Sequence, residues 1–315
     1  MLFKNKKYNK LVDEAKTYFK QEKLKEAIET YEEAFKIKTI LKDYIMYGCI
    51  LIDNNELPKA EKIFKELSEQ FSFYEIYYSL GVIYERTGRK YDALNQYLKV
   101  VEIEPNFDPA HFALAYMYDE KSEDQKENID GENTKKAIEH YEDVLRLDIN
   151  NFWANINLGS IYERNDENNK ALEYFLKAYS IDKNKTMVCY NLGVVYYKLK
   201  QYEKALMYYL EELEREQPFL SVYYNLGILY KEGFQDYETS KLYYLKALEL
   251  NQEDYNVWYN LGCVHALNND FQKAYDCFKY IYYKNKKYLN YLETDSELES
   301  FRKTKYYDIL KNNTL

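Results

Sequence analysis

A small residue recurs at a nearly constant interval along almost the whole chain. Eight such positions align, and the intervals between them are 33, 33, 34, 44, 34, 34 and 35 residues. Three positions after each, a large side chain follows, and it is tyrosine in six of the eight cases. A period of about 20 to 50 residues is typical of an array of repeated structural units. The sequence therefore predicts eight repeats, centred on Ala15, Gly48, Gly81, Ala115, Gly159, Gly193, Gly227 and Gly262.

Each repeat also carries a second small residue with an aromatic ring four positions later. Spacings of three and four are helical, so each repeat predicts two amphipathic helices, A and B, that pack antiparallel. A glycine inside a helix costs roughly 1 kcal/mol, and its recurrence at one register indicates that the two helices cross closely there. A single pair cannot bury its apolar faces, so the pairs must stack. The rings are Tyr31, Phe64, Tyr97, Tyr141, Phe175, Tyr209, Tyr244 and Phe278.

The third repeat, "YSLGVIYERTGRKYDALNQYLKVVEIEPN", resembles the tetratricopeptide repeat family almost throughout. The resemblance extends over residues 8–285 and implies an all-α fold, a right-handed α-α superhelical solenoid of about eight helix pairs. The repeats would start near residues 8, 41, 74, 108, 152, 186, 220 and 255. Residues 286–315 would form a capping helix and tail, because Leu298, Phe301 and Leu310 offer an apolar face and Ser296 to Glu299 has capping-box spacing.

Two departures interrupt the period. The interval of 44 residues contains an acidic insertion at 119–134, "DEKSEDQKENIDGENT", which lacks the oxygen-ligand order of a calcium loop. The seventh repeat has one extra residue near "KEGFQDY", which we assign to the turn between its two helices. Neither departure brings a catalytic motif, since we find no phosphate-binding glycine loop, nucleophile elbow or HExxH sequence.

Composition excludes several other functions. The net charge of −9 provides no basic surface for nucleic acid. The start of the chain lacks the apolar core of a signal peptide, and no run approaches the ~18 apolar residues of a membrane span. The three histidines, His111, His140 and His265, are isolated in sequence, and the four cysteines form no CxxC pair. We therefore expect a cytoplasmic, non-enzymatic protein without cofactor or metal, with buried reduced thiols.

Asparagine occupies one register in four successive repeats, two residues before the small residue. The family resemblance implies that helix A lines the concave surface, so these amides would form a row along a groove. A primary amide can both donate and accept hydrogen bonds, which suits the backbone of an extended peptide. Alternatively, asparagine is simply tolerated on a polar inner face. The four residues are Asn157, Asn191, Asn225 and Asn260.

Aromatic and cationic neighbours share the side of helix A to which the resemblance assigns the groove. The rings could line a binding surface or belong to the solenoid core. We expect a scaffold that binds an extended peptide or a partner helix; the alternatives are a self-assembly module and a non-catalytic subunit that recruits substrate. Replacing Asn191 and Asn225 by alanine should weaken binding and leave the melting temperature nearly unchanged. The neighbours are Trp153, Tyr190, Tyr197, Tyr224, Tyr259, Lys198 and Lys231.

Overall fold

The computed structural model describes residues 2–123, 131–185, 187–215, 220–284 and 288–312. Across these residues the chain is helical and contains no strand, so the all-α prediction is confirmed. The helices divide into two compact units, Met1–Ala154 and Asn155–Leu315. Within each unit, each A helix packs antiparallel on the B helix that follows it, and B helices pack on the next A helix of the same unit.

The first compact unit contains four helix pairs. In the fourth pair the A helix runs on to Glu123, and Gly131, with φ +70°, precedes the B helix. Residues 124–130 of the acidic insertion lie outside the described residues. The eight helices are α1 Leu2–Lys20, α2 Leu24–Phe35, α3 Leu41–Asp53, α4 Leu57–Ser68, α5 Tyr74–Arg86, α6 Lys90–Ile103, α7 Asp108–Glu123 and α8 Glu132–Leu147.

The second compact unit contains the remaining pairs and the C-terminal segment. Helix α9 starts at the end of the first unit and continues into the second. The helices are α9 Phe152–Arg164, α10 Asn168–Ile181, α11 Val188–Lys198, α12 Tyr202–Leu213, α13 Leu220–Ile228, α14 Tyr237–Leu250, α15 Tyr255–Leu267, α16 Phe271–Lys284, α17 Tyr288–Thr294, α18 Glu299–Arg302 and α19 Lys305–Asn312.

The recurring glycines lie where the A and B helices of one pair cross. A Cβ atom built on Gly159 would come within 2.5 Å of Cε1 of Phe175, and one on Gly227 within 2.5 Å of Cε1 of Tyr244. Because the B-helix ring lies directly against the A-helix backbone, there is no room for a side chain. In each of these repeats, the glycine of helix A and the aromatic ring of helix B therefore pack as one unit.

Most A helices end in the same turn. One residue adopts a positive φ between 54° and 75°, and the N–H of the next residue donates to the carbonyl five positions earlier, as in Glu56 N to Leu51 O at 2.8 Å. This arrangement satisfies carbonyls that the helix end would leave without a donor. The residues with positive φ are Glu22, Asn55, Gly88, Asp166, Lys200, Gln235 and Asn269.

The extra residue of the seventh repeat lies within helix A and not in the turn. Helix α13 continues as a π-helical turn over Leu229–Gly233, and the N–H of Asp236 reaches back six positions to the carbonyl of Tyr230 at 2.9 Å. Widening the last helical turn absorbs the added residue without disturbing the pair. This corrects the assignment of that residue to the turn, and it places Lys231 inside the widened segment.

The C-terminal segment forms three short helices and a 3-10 turn over Ser296–Leu298. The side chain of Asp295 caps this turn by accepting from the N–H of Glu297 at 2.9 Å, so the expected capping box at Ser296 is wrong. Leu298, Phe301 and Leu310 are buried against α15 and α16, together with Phe278 and Ile281. The segment thus covers the apolar face that the last helix pair would otherwise expose.

Candidate functional site

Two of the four asparagines link successive A helices. The Nδ2 of Asn225 on α13 donates to the hydroxyl of Tyr190 on α11 at 3.2 Å and to that of Tyr209 on α12 at 3.3 Å. The Nδ2 of Asn260 on α15 donates to the hydroxyl of Tyr224 on α13 at 3.1 Å and to a carbonyl of its own helix at 3.0 Å. Both N–H groups of each amide therefore donate hydrogen bonds, and each amide oxygen accepts none within the described residues.

Asn191 on α11 lies at the same register in a different environment. The positions equivalent to Tyr190 and Tyr209 are occupied by Ile156 and Phe175, which carry no hydroxyl. Asn191 is half-buried, and within the described residues no hydrogen bond involves its side chain. Asn157 on α9 is also half-buried. We call the surface defined by Asn157, Asn191, Asn225 and Asn260 the asparagine face.

The tyrosines beside the asparagines belong partly to the core. The rings of Tyr190 and Tyr224 lie 6.2 and 5.9 Å from those of Tyr209 and Tyr244 on the B helices. Tyr259 makes the equivalent contact with Phe278 at 5.8 Å. Burial raises the pKa of Tyr190, Tyr224 and Tyr259 above the usual value. Each ring therefore packs with one part in the core and presents the rest beside the amides.

The remaining expected residues have diverse partners. Tyr197 donates its hydroxyl to Glu232, and the ammonium of Lys198 lies 2.6 Å from a carboxylate oxygen of Glu163 and 3.4 Å from one of Asp166. Trp153, in the first compact unit, is half exposed and packs edge-on against Phe152. The charge of Lys198 is thus balanced within its own surroundings.

Lys231 is buried under the C-terminal segment. Its ammonium lies 3.0 and 2.9 Å from the two carboxylate oxygens of Glu297, and its side chain is 6% exposed. Burial by itself lowers the pKa of Lys231, but the hydrogen bonds and charge of Glu297 outweigh burial and give a net rise. Next to this pair, the hydroxyl of Tyr259 donates to Asp295 at 2.6 Å. The chain itself therefore occupies this end of the expected groove, and Lys231 adds no unpaired charge to it.

Comparison with known families fits this arrangement of helix pairs. Family models described as tetratricopeptide repeat match residues 11–39, 74–107, 154–185, 188–217 and 220–254, and a further one matches 243–276. Together these matches extend over more than half of the chain. The chain belongs to the tetratricopeptide repeat family. No curated protein matches its sequence.

Solved structures of other proteins share the fold. A protein from Parabacteroides merdae is 15% identical with a TM-score of 0.52, over 81% of this chain and 98% of that one. PilF of Pseudomonas aeruginosa is 21% identical with a TM-score of 0.54, over 70% of this chain and 96% of PilF. One chain in the structure of the APC/C hetero-tetramer Cut9–Hcn1 is 18% identical with a TM-score of 0.52. The match extends over 97% of this chain and 55% of that one. At these identities the likeness shows the fold alone.

An apolar pocket lies among the tetratricopeptide repeats of the first compact unit. It was not predicted from the sequence. It has a volume of about 620 Å³ and lies between α3 and α5. Met46 lines it and holds the register that asparagine takes in the later repeats. The presence of methionine at a position where later repeats have asparagine is the sequence signal that could have indicated this apolar pocket. The other apolar lining residues are Leu41, Ile45, Cys49 and Phe73.

None of the described helices combines the length and the hydropathy that a membrane-spanning helix needs.

Proposed function

We propose that this tetratricopeptide repeat protein is a non-catalytic scaffold that holds an extended peptide or a partner helix on its asparagine face. Unused hydrogen-bonding capacity at one register carries this proposal. Asn191 has no side-chain partner within the described residues, and at Asn225 and Asn260 both N–H groups are used while the amide oxygens accept no hydrogen bond there. Amide oxygens in a row can accept the N–H groups of an extended backbone.

The surroundings of the amides support a partner with apolar side chains. The half-buried rings of Tyr190 and Tyr224 flank Asn225, and Met187 is half exposed at the start of α11. In the Cut9–Hcn1 structure, a protein of this fold is part of a hetero-tetramer, which agrees with a role in binding protein partners. The C-terminal segment covers Tyr259 and Lys231, so we place the binding region over α9, α11 and α13.

Replacing Asn191 by alanine should weaken peptide binding at least about fivefold, the loss expected for one hydrogen bond. The melting temperature should stay nearly unchanged, because Asn191 has no side-chain partner to lose. Asn225→Ala should also weaken binding, but it removes two hydrogen bonds to tyrosines and should cost about 1 kcal/mol of stability. This revises the expectation that both substitutions leave the melting temperature unchanged. Peptides selected from a displayed random library provide the ligands, and calorimetry measures the affinities.

Asn169→Ala serves as the matched control, since Asn169 is an exposed asparagine on a B helix. It should leave both affinity and stability unchanged. Equal affinities of the wild-type protein and the Asn191→Ala variant would reject the asparagine face as the binding surface. Selection of no peptide, together with concentration-dependent growth in light scattering, would favour self-assembly instead.

We also propose a cytoplasmic location for the protein. All four cysteines are free, and Cys189, Cys263 and Cys277 are buried. Burial raises the pKa of Cys189 to about 11 and that of Cys277 to about 12, so these thiols remain protonated and unreactive. Free thiols of this kind support a reducing compartment.

A further inference from the structure

The fourth repeat brings together two histidines that are far apart in the sequence. His111 is the fourth residue of α7, and His140 and Asp143 lie one turn apart on α8. The Nδ1 atoms of the two histidines are 3.1 Å apart, so the expectation that the histidines are isolated is wrong for this pair. His265 is separate from them and lies 3.8 Å from Asp270.

The Nδ1 atom of His111 is held as a lone-pair donor. Its Nε2 lies 2.9 Å from the carbonyl oxygen of Pro105, and since a carbonyl only accepts, the ring proton belongs on Nε2. The Nδ1 atom therefore presents its lone pair towards His140 and towards Oδ2 of Asp143, which lies 3.1 Å away. A lone pair facing a carboxylate oxygen at this distance is unfavourable unless a proton or a metal cation lies between them.

The other two groups are also prepared as ligands. Arg146 pairs with Oδ1 of Asp143 and leaves Oδ2 for the histidines. Tyr118 stacks on the ring of His140 at 5.9 Å with an interplanar angle of 8° and fixes its orientation.

We propose that His111, His140 and Asp143 bind a divalent transition-metal ion such as Zn²⁺. The three atoms form a triangle with sides of 3.1, 3.1 and 3.9 Å. The point equidistant from its corners lies about 2.0 Å from each of them, which is the bond length of zinc to imidazole nitrogen and carboxylate oxygen. Imidazole and carboxylate together suit zinc and its neighbours in the first transition row. The hydrogen bond from His111 to Pro105 is the outer-shell contact that such sites use to fix a ligand.

A second cluster, Cys263 with Asp295 and Glu297, has similar composition but different surroundings. The ammonium of Lys231 binds both oxygens of Glu297, and Asp295 accepts from the hydroxyl of Tyr259 at 2.6 Å. A cation already balances these carboxylates. In the histidine cluster Arg146 pairs with Oδ1 of Asp143, and Oδ2 faces the two imidazole nitrogens.

The metal would join the two helices of the repeat that carries the insertion. His111 is near the start of α7, and Asp143 is near the end of α8, so the site lies at the end of the pair away from the insertion. The insertion replaces the short turn by which the other A helices reach their B helices. A metal bridge at the open end of the pair would compensate by holding α7 and α8 in register.

Titration of the chelator-treated full-length protein with ZnCl₂ tests the proposal. Calorimetry should show one tight site, and one equivalent of Zn²⁺ should raise the melting temperature by several degrees. His140→Gln and Asp143→Asn each remove one ligand and should lower the affinity at least about tenfold. His265→Gln and Cys263→Ala leave the site intact and should bind as the wild-type protein does. Co²⁺ in the same site should give visible d–d bands without the near-ultraviolet band of a thiolate ligand.

Several results would overturn the proposal. Absence of stoichiometric Zn²⁺ binding by the wild-type protein is one, because the histidine pair would then be joined by a proton alone. Binding by both ligand variants as tight as by the wild-type protein would show adventitious association elsewhere. A thiolate band with Co²⁺, lost in Cys263→Ala, would place the ion at the other cluster. If His140→Gln fails to fold, Asp143→Asn carries the test, since Asp143 is partly exposed.

Discussion

Replacing Glu297 by alanine is expected to destabilise the protein by about 3 kcal/mol, because the buried ammonium of Lys231 loses both of its close carboxylate contacts and keeps only Glu232 at 3.4 Å. Lys231 is 6% exposed and binds both carboxylate oxygens of Glu297. Glu297 belongs to the C-terminal segment, so loss of the pair weakens the docking of that segment. Chemical denaturation should therefore show the loss of stability, and amide exchange in residues 288–312 should accelerate to the same extent.

Glu299→Ala is the matched control for this substitution. Glu299 lies two residues away and pairs with Lys303, and both side chains are exposed. An exposed pair of this kind contributes little, so the change should stay below about 0.5 kcal/mol. The double variant Lys231→Met and Glu297→Leu should recover most of the lost stability, since apolar residues of similar size can replace a buried ion pair. If Glu297→Ala and Glu299→Ala behave alike, the buried pair is not what holds the segment in place.

The fold could be predicted from the sequence because the interactions that determine it are local. Within each compact unit, neighbouring A and B helices pack on one another, so a repeating pattern of small and aromatic residues specifies nearly all of the core. Gly159 and Phe175 show this directly, since the ring fills the space that the missing side chain leaves. Even the irregular seventh repeat keeps this contact between Gly227 and Tyr244, and its extra residue widens the helix end.

The C-terminal segment could be predicted only in outline. Its apolar residues indicate a cap, but it has no counterpart in the repeats from which its docking could be inferred. The pair formed by Lys231 and Glu297 joins residues 66 positions apart. Periodicity gives Lys231 a place on helix A and says nothing about Glu297. For this reason the sequence suggested a free cation in the groove where the structure has a buried ion pair.

The asparagines occupy the same register, but the structure shows that they differ in their side-chain hydrogen bonds. Asn225 meets two tyrosine hydroxyls, while the positions equivalent to those tyrosines around Asn191 are isoleucine and phenylalanine. Comparing Asn191 and Asn225 with the residues 35 and 16 positions before them would have given this distinction. The histidine cluster was missed for a different reason. His111 and His140 were both assigned to the fourth repeat, but they are 29 positions apart and the sequence does not show that their rings meet.

Replacing Gly159 by alanine is expected to destabilise the protein by about 1 to 3 kcal/mol, the usual cost of overpacking a core. The added Cβ would lie 2.5 Å from Cε1 and 2.6 Å from Cδ1 of Phe175. Helix propensity favours alanine over glycine by roughly 1 kcal/mol, so the two effects oppose each other. We expect the clash to dominate, because Phe175 is 1% exposed and has no space into which to move.

Two further variants separate the clash from the propensity. Ala115→Gly in α7 reverses the substitution at the same register, where an alanine already packs in the pair that contains Tyr141. It should cost about 1 kcal/mol of propensity and a small cavity. Combining Gly159→Ala with Phe175→Leu should give a smaller loss than the two single changes add up to, because the smaller side chain relieves the contact. Additive losses in this cycle would mean that the glycine is retained for some reason other than the ring.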